Sequence, residues 1–521
     1  MFKLKKSELI FLFIVSLIIF VPLFFLRDYT PKNELKYINI ANDMYHNGRL
    51  FTLIDNGNIY TDKPPFFFWF MNIIRWFSGS YGLGYIGLFL TAVPAILTVA
   101  VAIYLNGKYN KENHMLMPLI LVTTPLFLIS GICIRMDMFM GLWIVLSLIV
   151  FFQIYDGKMC LNRVNSYMIY IFMGMGLFIK GGAALIVPLL TILVFLVIEK
   201  ELKFLKKIYF LEGIGIIIFM FLLWLIPAVI ANGKEFLSDI FIKQTVGRTI
   251  KAIAHDRPFY YYIILLPGLY FQWFILLFAA LGHYIKNYRN LDNYEKFMLI
   301  WFVVTIVFFS IIKSKLWLYI LPSAFPAAAL ISLYIVKIFK ENRKKFKIIL
   351  SFSMLMFFIS ALLLLFLSGK AVKGYLVGNV WIGALLIIIS LIFSGILLIN
   401  NKKSVIIFSL VIPIVIFMLN LAFLVKDYNG LIGIKDISNE ILKLNPSKII
   451  SYDFSSGVYA KYYINKEVEY LDNEKMLKDL VNKENNIVLI METKDLKKIP
   501  LDIKYTIFYN NSVYSGIKII K

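Results

Sequence analysis

At 521 residues the chain has length for several soluble domains, but its 60% hydrophobic and 16% charged residues exclude an all-soluble protein. A globular domain carries about 45–50% apolar and about 25% charged residues, so the surplus of apolar area calls for burial in lipid. The formal net charge of +23 sits in short clusters between apolar runs and not along one polar face, which argues against nucleic acid and for anionic lipid head groups.

The N-terminus places Lys3, Lys5 and Lys6 before an apolar stretch at residues 9–26. That stretch is about 18 residues long and lacks a small-residue cleavage site, so it is expected to remain as a first span with the N-terminus in the cytoplasm. The segment 27–82 is too long for a plain connection. Within it, residues 33–44 are expected to form a helix lying at the interface and residues 64–77 a second, aromatic one. Further apolar runs follow at 83–105, 115–132, 138–155, 167–179, 183–198, 208–231, 260–283, 297–312, 316–336, 348–368, 378–399 and 404–425. The total is about thirteen spans, of which the fifth and sixth are short enough to be one broken pair.

Alternating these spans puts Lys108, Lys111, Lys158, Arg163, Lys203, Lys206, Lys207, Lys286, Arg289, the basic run at 340–347, Lys402 and Lys403 on the cytoplasmic side, as the positive-inside rule requires. Cys133 and Cys160 then fall near opposite faces and are not expected to pair. An odd number of spans delivers the tail to the outer side. In it, residues 448–452, 487–491 and 505–509 read as strands and 473–481 as a helix. The chain is therefore divided into a transmembrane part, 1–425, and a small extracytoplasmic soluble α/β domain, 426–521. No period of 20–50 residues indicates a solenoid.

The chemistry gathers in the outer segments. Glu34 lies just outside the first span, placed to take a proton or to charge a helix N-terminus. Asp62-Lys63-Pro64-Pro65 sets a carboxylate and an ammonium before the aromatic helix, a geometry that suits a phosphate and equally a snorkelling lysine. Asp137 in Arg135-Met-Asp-Met138 stands at the mouth of an otherwise uncharged helix, where an acid is costly unless used or paired with Arg135. Lys180-Gly181-Gly182 offers a cation and open backbone amides to an anion, or is simply an anchored turn. His255-Asp256-Arg257-Pro258 provides a metal ligand and a phosphate clamp, or an interfacial loop, and Lys313 and Lys315 add two cations to the same face.

Taken in order, Asn33-Glu34-x-Lys36-Tyr37, Tyr60-x-Asp-Lys-Pro-Pro65, Arg135-x-Asp-Met138, Gly176 to Gly181, His255 to Tyr262 and Lys315 to Pro326 resemble the bacterial aminoarabinose transferases of lipid A and, more distantly, the protein O-mannosyltransferases. Both are built on the multi-span GT-C fold. The resemblance runs from Arg27 to about Pro326. It implies an all-α polytopic membrane protein of GT-C type, with the first outer loop and Asp137 around the reaction centre and Lys63 and Lys180 at the donor phosphate, to which Arg257, Lys315 and Tyr37 are added. Asn33 stands where the family has an aspartate, so it cannot be the general base, and Glu34 and Asp137 inherit the catalytic role. Asp62 and His255 match positions that hold a metal in some members, implying a divalent zinc, magnesium or manganese ion.

The reaction implied is inverting transfer of a pentose or hexose from an undecaprenyl-phosphate donor. The acceptor is a lipid A-like or other envelope lipid, or a protein, on the outer face of a bacterial inner membrane. A lipid phosphate is already a good leaving group, so the enzyme needs cations to hold it and a base for the acceptor, and no glycine-rich nucleotide loop is present in the sequence. The chain is expected to act as a monomer among membrane lipids. The rival readings are a protein O-mannosyltransferase-like enzyme, a lipid-linked saccharide flippase, which should place charges across the midplane, and a non-catalytic envelope assembly protein.

Overall fold

The computed structural model describes residues 16–79, 82–110, 115–233, 256–367 and 425–520, with scattered positions outside these ranges. The expected spans at 378–399 and 404–425 lie almost wholly outside the described residues, as does His255.

Among the described residues six helices are long and apolar enough to cross a membrane: Gly84–Tyr109, Met136–Tyr155, Phe210–Asn232, Tyr261–Lys286, Asn293–Ile311 and Trp317–Glu341. A helix of twenty residues is about 30 Å long, the thickness of a bilayer's hydrocarbon core, and the protein is a multi-pass membrane protein. The expected span at 115–132 is two helices, Leu116–Thr123 and Pro125–Ile132, because Thr124 (ψ 122°) is held extended by the proline that follows it. The pair expected at 167–179 and 183–198 consists of two separate helices, Arg163–Lys180 and Ala183–Ile198. They are joined through Gly181 at φ 98°, a backbone angle that glycine adopts without strain.

The segment after the first apolar stretch folds over one end of the bundle. A π-turn at Pro31–Leu35 leads into α1, Lys36–Asn47, which stops at the left-handed Gly48. A hairpin of β1, Ile54–Asp55, and β2, Asn58–Ile59, turns on Asn56 and Gly57, both at positive φ, as a two-residue hairpin loop requires. The aromatic helix α2 occupies Phe66–Ser78 and is terminated by Gly79.

Two helices carry the centre of the molecule. The first, α3, Met136–Tyr155, runs from that end to the opposite one, and α4, Arg163–Lys180, returns beside it after a turn capped by the Asn162 side chain on the Asn165 amide at 2.8 Å. The antiparallel pair therefore brings the first turn of α3 and the last turn of α4 to the same level. Behind α4 lies α5, Phe210–Asn232, held close because Gly213 leaves room for the Tyr170 ring.

The tail contains α6, Lys435–Leu444, and a five-stranded sheet of β3, Lys448–Tyr452, β4, Glu469–Leu471, β5, Ile487–Glu492, β6, Tyr505–Asn510, and β7, Tyr514–Ile519. The strand order is β4-β3-β5-β7-β6, with β3 parallel to β4 and β5, and β7 antiparallel to β5 and β6. Helix α7, Glu474–Lys483, starts one residue later than expected; β4, β7 and α6 were not foreseen. The tail is fastened to the rest at Asp28, which is buried. Its Oδ1 accepts from Tyr463 Oη and from the Tyr29 amide at 2.7 Å each, its Oδ2 from the Lys435 amide at 3.1 Å, and its own amide donates to Asn429 at 2.6 Å.

Candidate active site

Asp137 is the centre of the charged cluster. It is 1% exposed, in the first turn of α3, and receives Lys180 from the last turn of α4 on Oδ1 and Arg135 Nε on Oδ2 at 3.3 Å. Arg135 also donates through Nη1 to Asn33 Oδ1 at 3.2 Å, so the Asn33 carbonyl oxygen belongs to the same network as an acceptor. Each carboxylate oxygen has room for about two hydrogen bonds. Asp137 therefore keeps acceptor capacity beyond its two cations. Lys180 lies over the Tyr319 ring, 4.7 Å from its centroid, which fixes the ammonium from a second side.

Glu34 lies in the first turn of Pro31–Leu35, as its reading as a helix N-terminal charge has it, and away from the cavities where a base would stand. It is 2% exposed and lines neither of the cavities at this end. Arg27 grips it with two bonds, Nη1 to Oε2 at 2.8 Å and Nη2 to Oε1 at 2.5 Å. The Thr30 amide donates to Oε2 at 2.9 Å and the Ile134 amide to Oε1 at 2.8 Å, while Arg27 Nη2 also reaches the Ile132 carbonyl at 2.9 Å. The pair thus staples the first loop to the short linker that presents Arg135 and Asp137. Burial works against the Arg27 charge, but the Glu34 carboxylate outweighs it and the guanidinium is held above its ordinary value.

Two cavities meet beside Asp137. One, of about 590 Å³, is walled mainly by apolar side chains including Leu177, Leu185, Phe221 and Trp224, and reaches the outward face of α5, where Ile218 is exposed. The other, of about 830 Å³, is polar and lies under the tail. Asp62, Lys63, Lys180 and Tyr319 line both. Asp137, Arg135, Asn33, Lys36 and Tyr37 line the polar one. Burial pushes the Tyr37 hydroxyl up to about 12, with Arg135 pulling the other way, so it stands there as a neutral donor. Lys36 is paired with Asp55 at 3.1 Å and lies 4.6 Å from the Tyr60 ring centroid.

Arg257 and Lys315 are not brought into either cavity. Lys315 is buried and donates to the Arg257 carbonyl at 2.9 Å, and the Asp256–Ser314 bridge joins the same two strands of chain. Burial lowers the Lys315 ammonium from its ordinary range, with Asp256 opposing. The lysine therefore pins the segment before Pro258 to the segment carrying Ser314 and Leu316, which do line the polar cavity. Of the two residues expected to hold a metal, Asp62 is at the junction and His255 is outside the described residues. Among the described residues no group of three histidine, cysteine, aspartate or glutamate side chains is close enough to form a metal site.

The roof of the polar cavity was missed in the sequence. Ser455, Ser456, Val458, Tyr459 and Tyr470 of the tail line it, and Tyr459 donates to both Asp55 oxygens at 3.0 and 3.1 Å. The contact spans about four hundred residues of chain, and only the run Ser455-Ser456-Gly457 hinted at a tight polar turn.

No family model matches the chain. Over 308 residues, 58% of its length, it is 27% identical to the undecaprenyl phosphate-alpha-4-amino-4-deoxy-L-arabinose arabinosyl transferase of Serratia proteamaculans, covering 54% of that protein. Over 352 residues, 66% of its length, it is 27% identical to the protein of the same name from Yersinia enterocolitica, covering 62% of it. The chain thus spans little more than half the length of these curated relatives. The crystal structure of ArnT from Cupriavidus metallidurans bound to undecaprenyl phosphate superposes with a TM-score of 0.78 at 15% identity, covering 99% of this chain and 98% of the other, a likeness of fold.

Proposed function

We propose that this chain, a relative of the aminoarabinose transferases with their GT-C fold, is an integral membrane glycosyltransferase. It would move a sugar from an undecaprenyl-phosphate carrier to a lipid A-like or other envelope acceptor at the outer face of the bacterial inner membrane. The observation that carries this reading is the meeting of an apolar cavity reaching the lipid-facing side of α5 with a polar cavity, at a wall made of Lys63, Lys180, Asp62 and Tyr319. A donor with a prenyl tail and a phosphorylated sugar has the same division of character.

In this reading the prenyl chain lies against Leu177, Phe221 and Trp224, and the phosphate stops at Lys63 and Lys180. The two ammonium groups stabilise charge that grows on the phosphate as the glycosidic bond breaks. The sugar enters the polar cavity with its anomeric carbon toward Asp137, whose remaining lone pairs take the acceptor's proton as the acceptor attacks from the opposite face. One displacement inverts the anomeric centre. Tyr37 donates to the sugar or to a phosphate oxygen, and Glu34 with Arg27 fixes the linker that aims Asp137. Arg257 and Lys315 would act through the placement of residues 314–319.

The names of the relatives specify 4-amino-4-deoxy-L-arabinose as the sugar, so that donor is the first to test. Purified protein in proteoliposomes, given undecaprenyl-phosphate aminoarabinose and a lipid A acceptor, should yield a product heavier by one sugar in the mass spectrum. No sugar-bearing product from envelope lipids or glycoproteins, in the presence of either this donor or its hexose counterparts, would count against transfer.

A further inference from the structure

We propose that a second polar cleft, beside the reaction cavity, binds a neutral, hydroxyl-rich saccharide and holds the glycan portion of the acceptor. The acceptor role rests on the glycosyl-transfer reading; the saccharide site stands on the cleft itself. The cleft has a volume of about 1000 Å³ and lies between α1, the β1–β2 turn and residues 458–470 of the tail. It abuts the reaction cavity, since Asn56, Val458 and Tyr470 line both. A chain of sugar rings lying in it can reach the reaction centre with one end.

The lining selects the class of ligand. Five amide side chains, Asn39, Asn42, Asn47, Asn56 and Asn465, face it. An amide presents a donor and an acceptor in one plane, and a hydroxyl is both donor and acceptor, so the two match without any net charge. The charged residues nearly balance: Arg75, Lys461 and Lys466 against Asp43 and Glu467. Three of these are already engaged, Arg75 with Asn42 at 3.0 Å, Lys461 with Asn56 at 3.0 Å and Lys466 with Asn445 at 2.6 Å. The excess of cations over carboxylates is one here, three against two, and two in the reaction cavity, five against three, so the cleft is the less suited of the two to a phosphate.

Asp43 is the carboxylate of the cleft's α1 wall. Its Oδ1 accepts from Asn47 at 3.0 Å, while its Oδ2 is shielded from solvent and accepts from no group among the described residues. Shielded carboxylate oxygens almost always have a donor, so a ligand hydroxyl reaches this one only if the Asp43 side chain turns toward the cleft that it lines. The apolar lining amounts to Val458 and Val468, too little for an acyl chain, while the rings of Tyr462 and Tyr470 offer faces for the C–H side of a sugar. A peptide added to the edge strand β4 would leave the amides of α1 unused.

The test uses the full chain in nanodiscs with chitotriose and maltotriose as probes, inorganic phosphate and trialanine as competitors, and undecaprenyl phosphate binding read in the same samples. At least one trisaccharide is expected to bind saturably without competition. Asn39→Leu and Asn47→Leu are each expected to weaken it about tenfold, with thermal midpoint and undecaprenyl phosphate binding unchanged. Asn47 is exposed at the end of α1, so that variant keeps the test open should Asn39→Leu fold poorly. Absence of saturable binding, equal binding by the variants, or displacement by trialanine or phosphate would overturn the site. Saccharide binding without undecaprenyl phosphate binding would leave the site standing and remove its acceptor role, a failure of the transfer reading alone.

Discussion

Asp137 and Glu34 are both buried carboxylates touching arginine, yet their surroundings differ, and the proposed function gives them opposite work. Asp137 faces a cavity and has capacity left; Glu34 faces none and is gripped by Arg27 and two backbone amides. Asp137→Asn is expected to lower the turnover of sugar transfer by about 10²–10⁴ while leaving undecaprenyl phosphate binding in place, read from kcat beside donor binding. Glu34→Gln strips the countercharge from a guanidinium that is 8% exposed. It is expected to cost about 3–5 kcal/mol of stability, seen as a fall in thermal midpoint; a drop in kcat at an unchanged midpoint would instead return Glu34 to the chemistry. The charged residues whose place at the cavity walls was legible in the sequence, Asp137, Lys180, Lys63 and Asp62, are set in apolar or proline-bounded stretches, where burial makes a charge conspicuous. Glu34, Arg257 and Lys315 have the same chemistry and lie nearby, but only the rotation of their backbone decides whether they face the cavity, and residue type carries no trace of that.

The elements were legible to the extent that their periodicity was their own. The long apolar helices and three of the five sheet strands follow from composition, whereas β4 has three residues and β7 contains Gly516 and Lys518, so neither stands out as a strand. The docking of α6 was invisible because it depends on Asp28, in another part of the chain. A Cβ at Gly433 would collide with Asp28 Oδ2 and come within 2.8 Å of the Tyr29 carbonyl, so Gly433→Ala is expected to loosen α6, measured as faster hydrogen exchange over residues 429–444. Burial raises the Asp28 carboxyl above its ordinary 3.8, against the pull of Tyr463 and two amides. The docked state therefore binds more protons than the free one between 3.8 and the raised value, and its stability falls as pH climbs through that window. Protection of residues 429–444 should be greatest in acid and decline toward neutrality, and Asp28→Asn should flatten the decline.

At the scale of the molecule, α3 and α4 separate Asp137 and Lys180 from Cys160 by the length of a span. With the proposed orientation, an impermeant maleimide should label Cys160, which is exposed, only in opened cells, and should label a cysteine introduced at Asn58 in intact ones; the reverse pattern would invert the protein. The four side chains common to the apolar and polar cavities carry a kinetic corollary. On the proposed reading the donor's prenyl chain takes the apolar cavity and the acceptor's glycan the polar side, so neither has to leave for its counterpart to come in, and both must be present before the sugar moves. Double-reciprocal plots should intersect and not run parallel, and the released carrier phosphate should compete with the donor while leaving the apparent affinity for the acceptor almost untouched.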